Sequence, residues 1–174
     1  MANGHRIAVA LITVANVGVA SADTLVPLTP QTQRYANTRY GTVADFPIEF
    51  EVSVPPPERN DGRRWFSDGM ARISVSASNT YLALAQNFEG YTKWVFDNVP
   101  EEAGFRLTYK ISGKGWLVYS GYQGDTVIYR KIVEACRAAH ELRIEYPATV
   151  RAQYDGMVTR VARSLTCRRG ARQR

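Results

Sequence analysis

Apolar and polar positions follow three regimes along this chain. An unbroken apolar run fills residues 7–19, a proline- and threonine-rich stretch follows, and from residue 39 onward short alternating segments are separated by turn signals. Ile73, Val75 and Ala77 alternate with Arg72, Ser74 and Ser76, and Leu142, Ile144 and Tyr146 alternate with Glu141, Arg143 and Glu145. Leu107, Tyr109 and Ile111 repeat the same period of two, which marks strands with one buried face. Further strands are expected from Arg39 to Asp45-Phe46-Pro47 and over residues 63–67, 116–121 and 126–133, and Pro147 ends the strand of Leu142, Ile144 and Tyr146. Ser67-Asp68-Gly69, Ser112-Gly113-Lys114-Gly115 and Gln123-Gly124-Asp125 supply tight turns, so the strands pair antiparallel. Pro55, Pro56 and Pro57, followed by Glu58 to Asp61, forbid regular structure and predict an exposed loop.

Two segments switch to helical spacing. Asn79-Thr80 can cap a helix running to about Asp97, with Leu84, Phe88, Tyr91 and Val95 on its apolar stripe. Gly90 within it costs about 1 kcal/mol relative to alanine. Asp155 suits the cap of a closing helix whose buried face is Val158, Val161, Ala162 and Leu165. The sum is an α+β domain: one mostly antiparallel sheet of about six to seven strands with two main helices.

The apolar run is too short to span a bilayer, which takes roughly 20 residues. His5 and Arg6 precede it, and Ala20-Ser21-Ala22 places small residues just before Asp23. That order predicts a signal peptide over residues 1–22, cut between Ala22 and Asp23, and a periplasmic or secreted product. A lone arginine predicts export as an unfolded chain, which disfavours a preloaded cofactor. No cysteine near the cut offers a lipid attachment point. Residues 23–36, with Pro27 and Pro30, are expected to be an extended arm. A single domain over residues 37–167 and a disordered basic tail over residues 168–174 complete the organisation.

Charge narrows the partners. Of the formal net charge of +6, Arg6 belongs to the leader and Arg168, Arg169, Arg172 and Arg174 to the tail, so the body is nearly neutral. A nucleic-acid protein would carry a basic face on its folded domain. The tail instead suits solubility, or attraction to anionic lipid or envelope polymer. Cys136 and Cys167, an even pair in an oxidising compartment, read as a disulfide that would join the closing helix to the sheet.

Catalytic and metal signatures are missing. His140 is the sole histidine after residue 22 and is expected on a hairpin surface; Ser120 lacks a nucleophile elbow. No clustered ligands suggest a metal, and no glycine-rich loop suggests a phosphate. Asp61, Asp68 and Asp125 lie near turns, where a carboxylate most simply caps the backbone. Aromatic residues remain. Trp65 follows Arg63 and Arg64, Tyr122 lies beyond Trp116 and Tyr119, and Trp94 sits beside Lys93 partly off the helix's buried stripe. Trp94, Lys93, Arg63, Arg64, Trp65 and Tyr122 are the candidate binding residues, since an exposed tryptophan beside a cation suits a protein or glycan surface.

Residues 37–47 (NTRYGTVADFP), Asp61-Gly62-Arg63, Ser67-Asp68-Gly69, residues 116–121 (WLVYSG), Tyr129-Arg130-Lys131, Tyr146-Pro147 and the helix near Tyr154-Asp155 form an ordered set. In that order the chain resembles exported bacterial proteins of the PsbP-like fold, shared with a Ran-binding nuclear import factor, over about residues 35–166. Gly156 departs from the proline expected after the capping Asp155. The matching motifs are structural, and the resemblance implies a binding or assembly role without catalytic residues to carry over. The expectation is an exported monomeric module that binds an envelope protein or anionic polymer, without cofactor or metal. The alternative is a small carboxylate-based hydrolase of the cell envelope.

Overall fold

The computed structural model describes residues 23–53, 63–99 and 104–168. Residues 1–22, expected as a leader ending at Ala22, residues 54–62 with Asp61, and the expected tail residues Arg169, Arg172 and Arg174 lie outside them. Among the described residues the chain forms two antiparallel sheets. The large one holds seven strands: β4 (Glu51–Val52), β5 (Arg64–Ser67), β6 (Arg72–Ser78), β7 (Phe105–Gly113), β8 (Trp116–Gln123), β9 (Thr126–Ala135) and β10 (Ala138–Pro147). Their spatial order is β4-β5-β6-β10-β9-β8-β7. The expected hairpins are all present, with Gly69 and Gly124 at positive φ (92° and 57°) in two of their turns.

A second sheet, beyond the single one expected, has the order β1-β2-β3-β11 and contains β1 (Thr24–Thr29), β2 (Thr32–Ala36), β3 (Thr42–Pro47) and β11 (Thr166–Cys167). Residues 24–36 are therefore a hairpin and not a free arm. Pro27 is tolerated because β1 is the sheet edge. Tyr35 is buried in the core, and the Gln33 amide donates to the carbonyls of Pro47, Ile48 and Phe50. Asp23 anchors the start: its carboxylate accepts from Tyr35 Oη at 2.9 Å and from the Thr38 amide, and pairs with Arg64 at 3.0 Å.

Helices cover the large sheet on both sides. The expected long helix is broken into α1 (Tyr81–Ala85) and α2 (Phe88–Asn98). Gln86 at φ 59° stops the first, and Asn87 caps the second through Gly90 N. Phe88, Tyr91 and Val95 pack on Leu117, Tyr119, Ile128 and Ile132, whereas Leu84 falls before the break and stays exposed. The closing helix α3 (Arg151–Ser164) begins a turn earlier than expected, after a 3-10 turn at Ala148–Val150, with Val150 at its N-cap. Asp155 lies inside the helix and binds Tyr146 Oη (2.9 Å) and Arg151 (3.1 Å). Tyr154, Met157, Val158, Val161 and Ala162 bury its inner face against Phe46, Ile73, Ile144 and Tyr146.

Besides the Asp23–Arg64 pair, two neighbouring links join the small sheet to the large one. Cys136 and Cys167 form a disulfide with Cα atoms 6.2 Å apart, tying the β9–β10 turn to β11. Beside it His140 is fully buried instead of surface-exposed, because its β10 position faces the small sheet. Its Nε2 donates to the Ala135 carbonyl (2.9 Å), which leaves Nδ1 to accept from Thr42 Oγ1 (2.9 Å). Burial pushes its pKa below the ordinary value, so the ring is neutral in the fold.

The disulfide closes a separation of 31 residues, and the Cys136→Ser/Cys167→Ser double variant is expected to lose about 3–4 kcal/mol in urea unfolding. Because the folded pKa of His140 is lowered, its stabilising effect is complete above the unfolded value near 6.5 and is lost as pH falls below it. Between pH 7 and 5 the wild type should lose stability more steeply than His140→Gln, by at most about 1.4 kcal/mol per pH unit. Equal slopes would assign the acid sensitivity to other groups.

Candidate functional site

A single extra residue in β7 builds the most distinctive surface of the molecule. The β7–β8 register runs Leu107 opposite Gly121 and then Tyr109 opposite Ser120, leaving Thr108 as a bulge. Before it Arg106 sits opposite Tyr122; after it Tyr109 and Ile111 sit opposite Ser120 and Val118. Without the bulge Tyr109 and Ile111 would share the face of Leu107, as their alternation suggests. The bulge turns them to the other face. Leu107 packs under α2, while Tyr109 and Ile111 are 51% and 44% exposed. Gly121 permits the close approach that results, since a Cβ there would stand 2.3 Å from the Arg106 carbonyl and 2.6 Å from the Phe105 ring.

Tyr109, Ser120 and Tyr129 consequently form one row across β7, β8 and β9, and Arg106, Tyr122, Val127 and Tyr146 form the next. α3 borders these rows and closes a groove of about 700 Å³ with Arg151, Asp155, Val158 and Thr159 on its helix side. A second hollow of about 440 Å³, lined by Trp116, Val118, Lys131 and Arg163, shares Tyr129, Val158 and Thr159 with the first. Together they make a trough along α3.

Cations and phenols dominate the trough. The Arg106 guanidinium lies 4.7 Å from the centre of the Tyr122 ring, and Arg151 donates to Tyr122 Oη at 3.2 Å. Asp155 is already engaged by Tyr146 and Arg151, and burial together with that carboxylate pushes the Tyr146 phenol up. Burial raises Tyr129 to about 12, with Tyr109 adding to the effect, so the Tyr129 phenol stays a neutral donor at any physiological pH. Lys131 is lowered by burial and donates to the Ala162 carbonyl at 2.7 Å. Among the described residues Arg106 has no carboxylate in ion-pair reach.

The opposite face of the large sheet is open over β5, β6 and β10, and its charges satisfy one another. Arg130 pairs with Glu141, Arg143 with Glu145, and Arg72 lies over Trp65 at 4.4 Å. A cleft of about 420 Å³ beneath α1 there includes Arg63, Tyr81, Tyr91 and Glu141, with Tyr81 donating to Glu134.

The six candidate binding residues are thus distributed over several surfaces. Trp94, 43% exposed, stacks on Tyr91 on the outside of α2, with Lys93 paired to Asp97. Arg64 is largely enclosed against Asp23, and Arg63 and Trp65 belong to the opposite open face. Only Tyr122 lies in the trough, where sequence reasoning missed Arg106, Tyr109, Tyr129 and Arg151. Of the carboxylates considered for hydrolysis, the two among the described residues have separate roles: Asp68 caps the Met70 and Ala71 amides and accepts from Tyr154, whereas Asp125 is exposed in the β8–β9 turn. Among the described residues no cluster of three metal-ligating side chains occurs.

No known family model and no curated protein matches the sequence. Similar solved structures exist. Cyanobacterial PsbP (CyanoP) of Synechocystis superposes with a TM-score of 0.53 at 15% identity, covering 91% of this chain and 99% of that one. A Pseudomonas aeruginosa protein of unknown function, PA94, described as a candidate regulator, gives 0.50 at 15% identity over 85% of this chain and 99% of its own. The chain has the PsbP-like fold. At such identity the PsbP-like likeness concerns backbone and not the trough residues, whose role rests on their own geometry.

Groove substitutions in this PsbP-like chain separate surface from scaffold. Tyr109→Ala is expected to change stability by under about 0.5 kcal/mol and Tyr122→Phe by under about 1 kcal/mol. Gly121→Ala should cost roughly 1–3 kcal/mol, because β7 must move to admit the methyl. Thermal denaturation checks this; a large loss at Tyr109 would make it structural.

Proposed function

We propose that the protein is an exported, non-catalytic binding or assembly module that seats an envelope protein or polymer in the trough along α3. The observation that carries this reading is Arg106: a cation over the Tyr122 ring, without a carboxylate partner among the described residues, beside the exposed Tyr109 and the half-buried Tyr122. Elsewhere on the sheet arginines are matched by glutamates. A surface left unmatched in charge while rich in phenols is suited to a ligand that supplies the missing anion.

Two features support export. The Cys136–Cys167 disulfide suits an oxidising compartment, and the leader pattern of residues 1–22 precedes Asp23. Among the described residues no helix is long and apolar enough to cross a membrane. The basic tail, Arg168, Arg169, Arg172 and Arg174, adds attraction to an anionic surface on this reading. Trp94 and Lys93 remain a second contact surface, separate from the trough.

N-terminal sequencing of the protein recovered from the host envelope should begin at Asp23; retention of residues 1–22 would remove the export reading. A photo-crosslinking side chain placed at Tyr109 should capture a specific envelope component, and should do so in a chain ending at Cys167. Capture from Trp94 but not from Tyr109 would move the site to α2. Loss on truncation would assign the work to the tail.

A further inference from the structure

We infer that the trough recognises an acidic linear polysaccharide, a polymer of carboxylate-bearing sugars, through Arg106 and the Tyr109–Tyr129 row. This rests on the trough being the binding seat and goes on to name the chemistry of its occupant.

Spacing, surface character and charge all point the same way. Tyr109 and Tyr129 stand two strands apart with the small Ser120 between them, so their Cα atoms are about 10 Å apart at ordinary strand separation. That spacing sets the width of the floor at this row, with a tyrosine on either side of Ser120. Hydroxyls line the same strip, from Thr108, Ser120, Tyr122, Tyr129 and Thr159. Sugars present apolar C–H faces to rings and hydroxyls at their edges, so such a strip meets both demands. The trough is open and runs on past Tyr129 toward Trp116, as a polymer requires and a compact small molecule does not.

Charge selects among polysaccharides. Arg106 is exposed with its guanidinium over the Tyr122 ring, and a guanidinium suits two parallel hydrogen bonds to a carboxylate. Arg151 adds a second cation at the same end, with Asp155 as its carboxylate, and Arg163 borders the far hollow. A neutral glycan would leave Arg106 unanswered. An acidic peptide would supply anions too, yet it would gain little from the hydroxyl strip.

Calorimetric titration of the mature protein with a hexameric galacturonate tests this, against the same hexamer fully methyl-esterified and against hexaglutamate. The expected result is binding of the free acid, weakened on the order of tenfold by esterification, which removes the charge but keeps the ring. Arg106→Gln should abolish that difference, and Tyr109→Ala should weaken both forms. Arg72→Gln, on the opposite face, should change neither. Equal affinity for ester and acid, tighter binding of hexaglutamate, or no binding of the hexamer at millimolar concentration would each overturn the inference. Crosslinking from Tyr109 that persists without uronate binding leaves the trough as a seat for another ligand. Loss of both removes the seat itself.

Discussion

The whole structure follows from a sheet that is wider than its cover. Seven strands at ordinary spacing span roughly 29 Å, whereas the 14-residue α3 is about 21 Å long and the 11-residue α2 about 16 Å. Neither helix can shield a full face. The chain resolves this by burying opposite halves: α3 and the small sheet take β5, β6, β10 and part of β9 on one side, and α1 and α2 take β7, β8 and β9 on the other. Each side is left with an open half. One neutralises itself by pairing arginine with glutamate, and the other retains bare phenols and an unmatched arginine. The trough is what remains uncovered, given a wall by α3.

Holding α3 in place therefore matters more than the helix's own propensity. Its C-terminal end runs directly into β11, which pairs with β3 and is bonded through Cys167 to the β9–β10 turn. Cys136 and Arg137 occupy that turn at φ 47° and 65°, a conformation side chains rarely adopt. The Thr42–His140–Ala135 chain of hydrogen bonds reinforces the same corner, and Lys131 holds the Ala162 carbonyl from the sheet. Wall and floor of the trough thus belong to one rigid unit, so a ligand would meet a preformed seat.

Much of the fold was legible because local chemistry and global structure agreed. Alternation in β6 and β10 and the Gly-Asp turns located the hairpins, and the two cysteines proved to be bonded. What escaped depended on distant partners. β1 and β2 looked like a loose arm because prolines mask pairing at a sheet edge, where they are allowed. His140 looked like a surface residue because nothing local shows that the small sheet lies over it. Asp155 looked like a cap because an aspartate after an extended stretch usually is one; here its partner, Tyr146, comes from the preceding strand. The site was the least visible part. Its one local sign was Gly121, a glycine inside a strand, which marks a close backbone approach opposite the bulge.

The bulge at Thr108 also determines how this surface can change. Substitution alters what the trough presents but cannot choose the face on which Tyr109 and Ile111 stand, because strand side chains alternate with a fixed period. Removing one residue from β7 at the bulge would return Tyr109 and Ile111 to the α2 side, with no other side chain altered. Chain length in that strand therefore decides which side chains stand on the trough face. Relatives with the same backbone and a strand one residue shorter would have a differently composed surface, whatever their identity elsewhere.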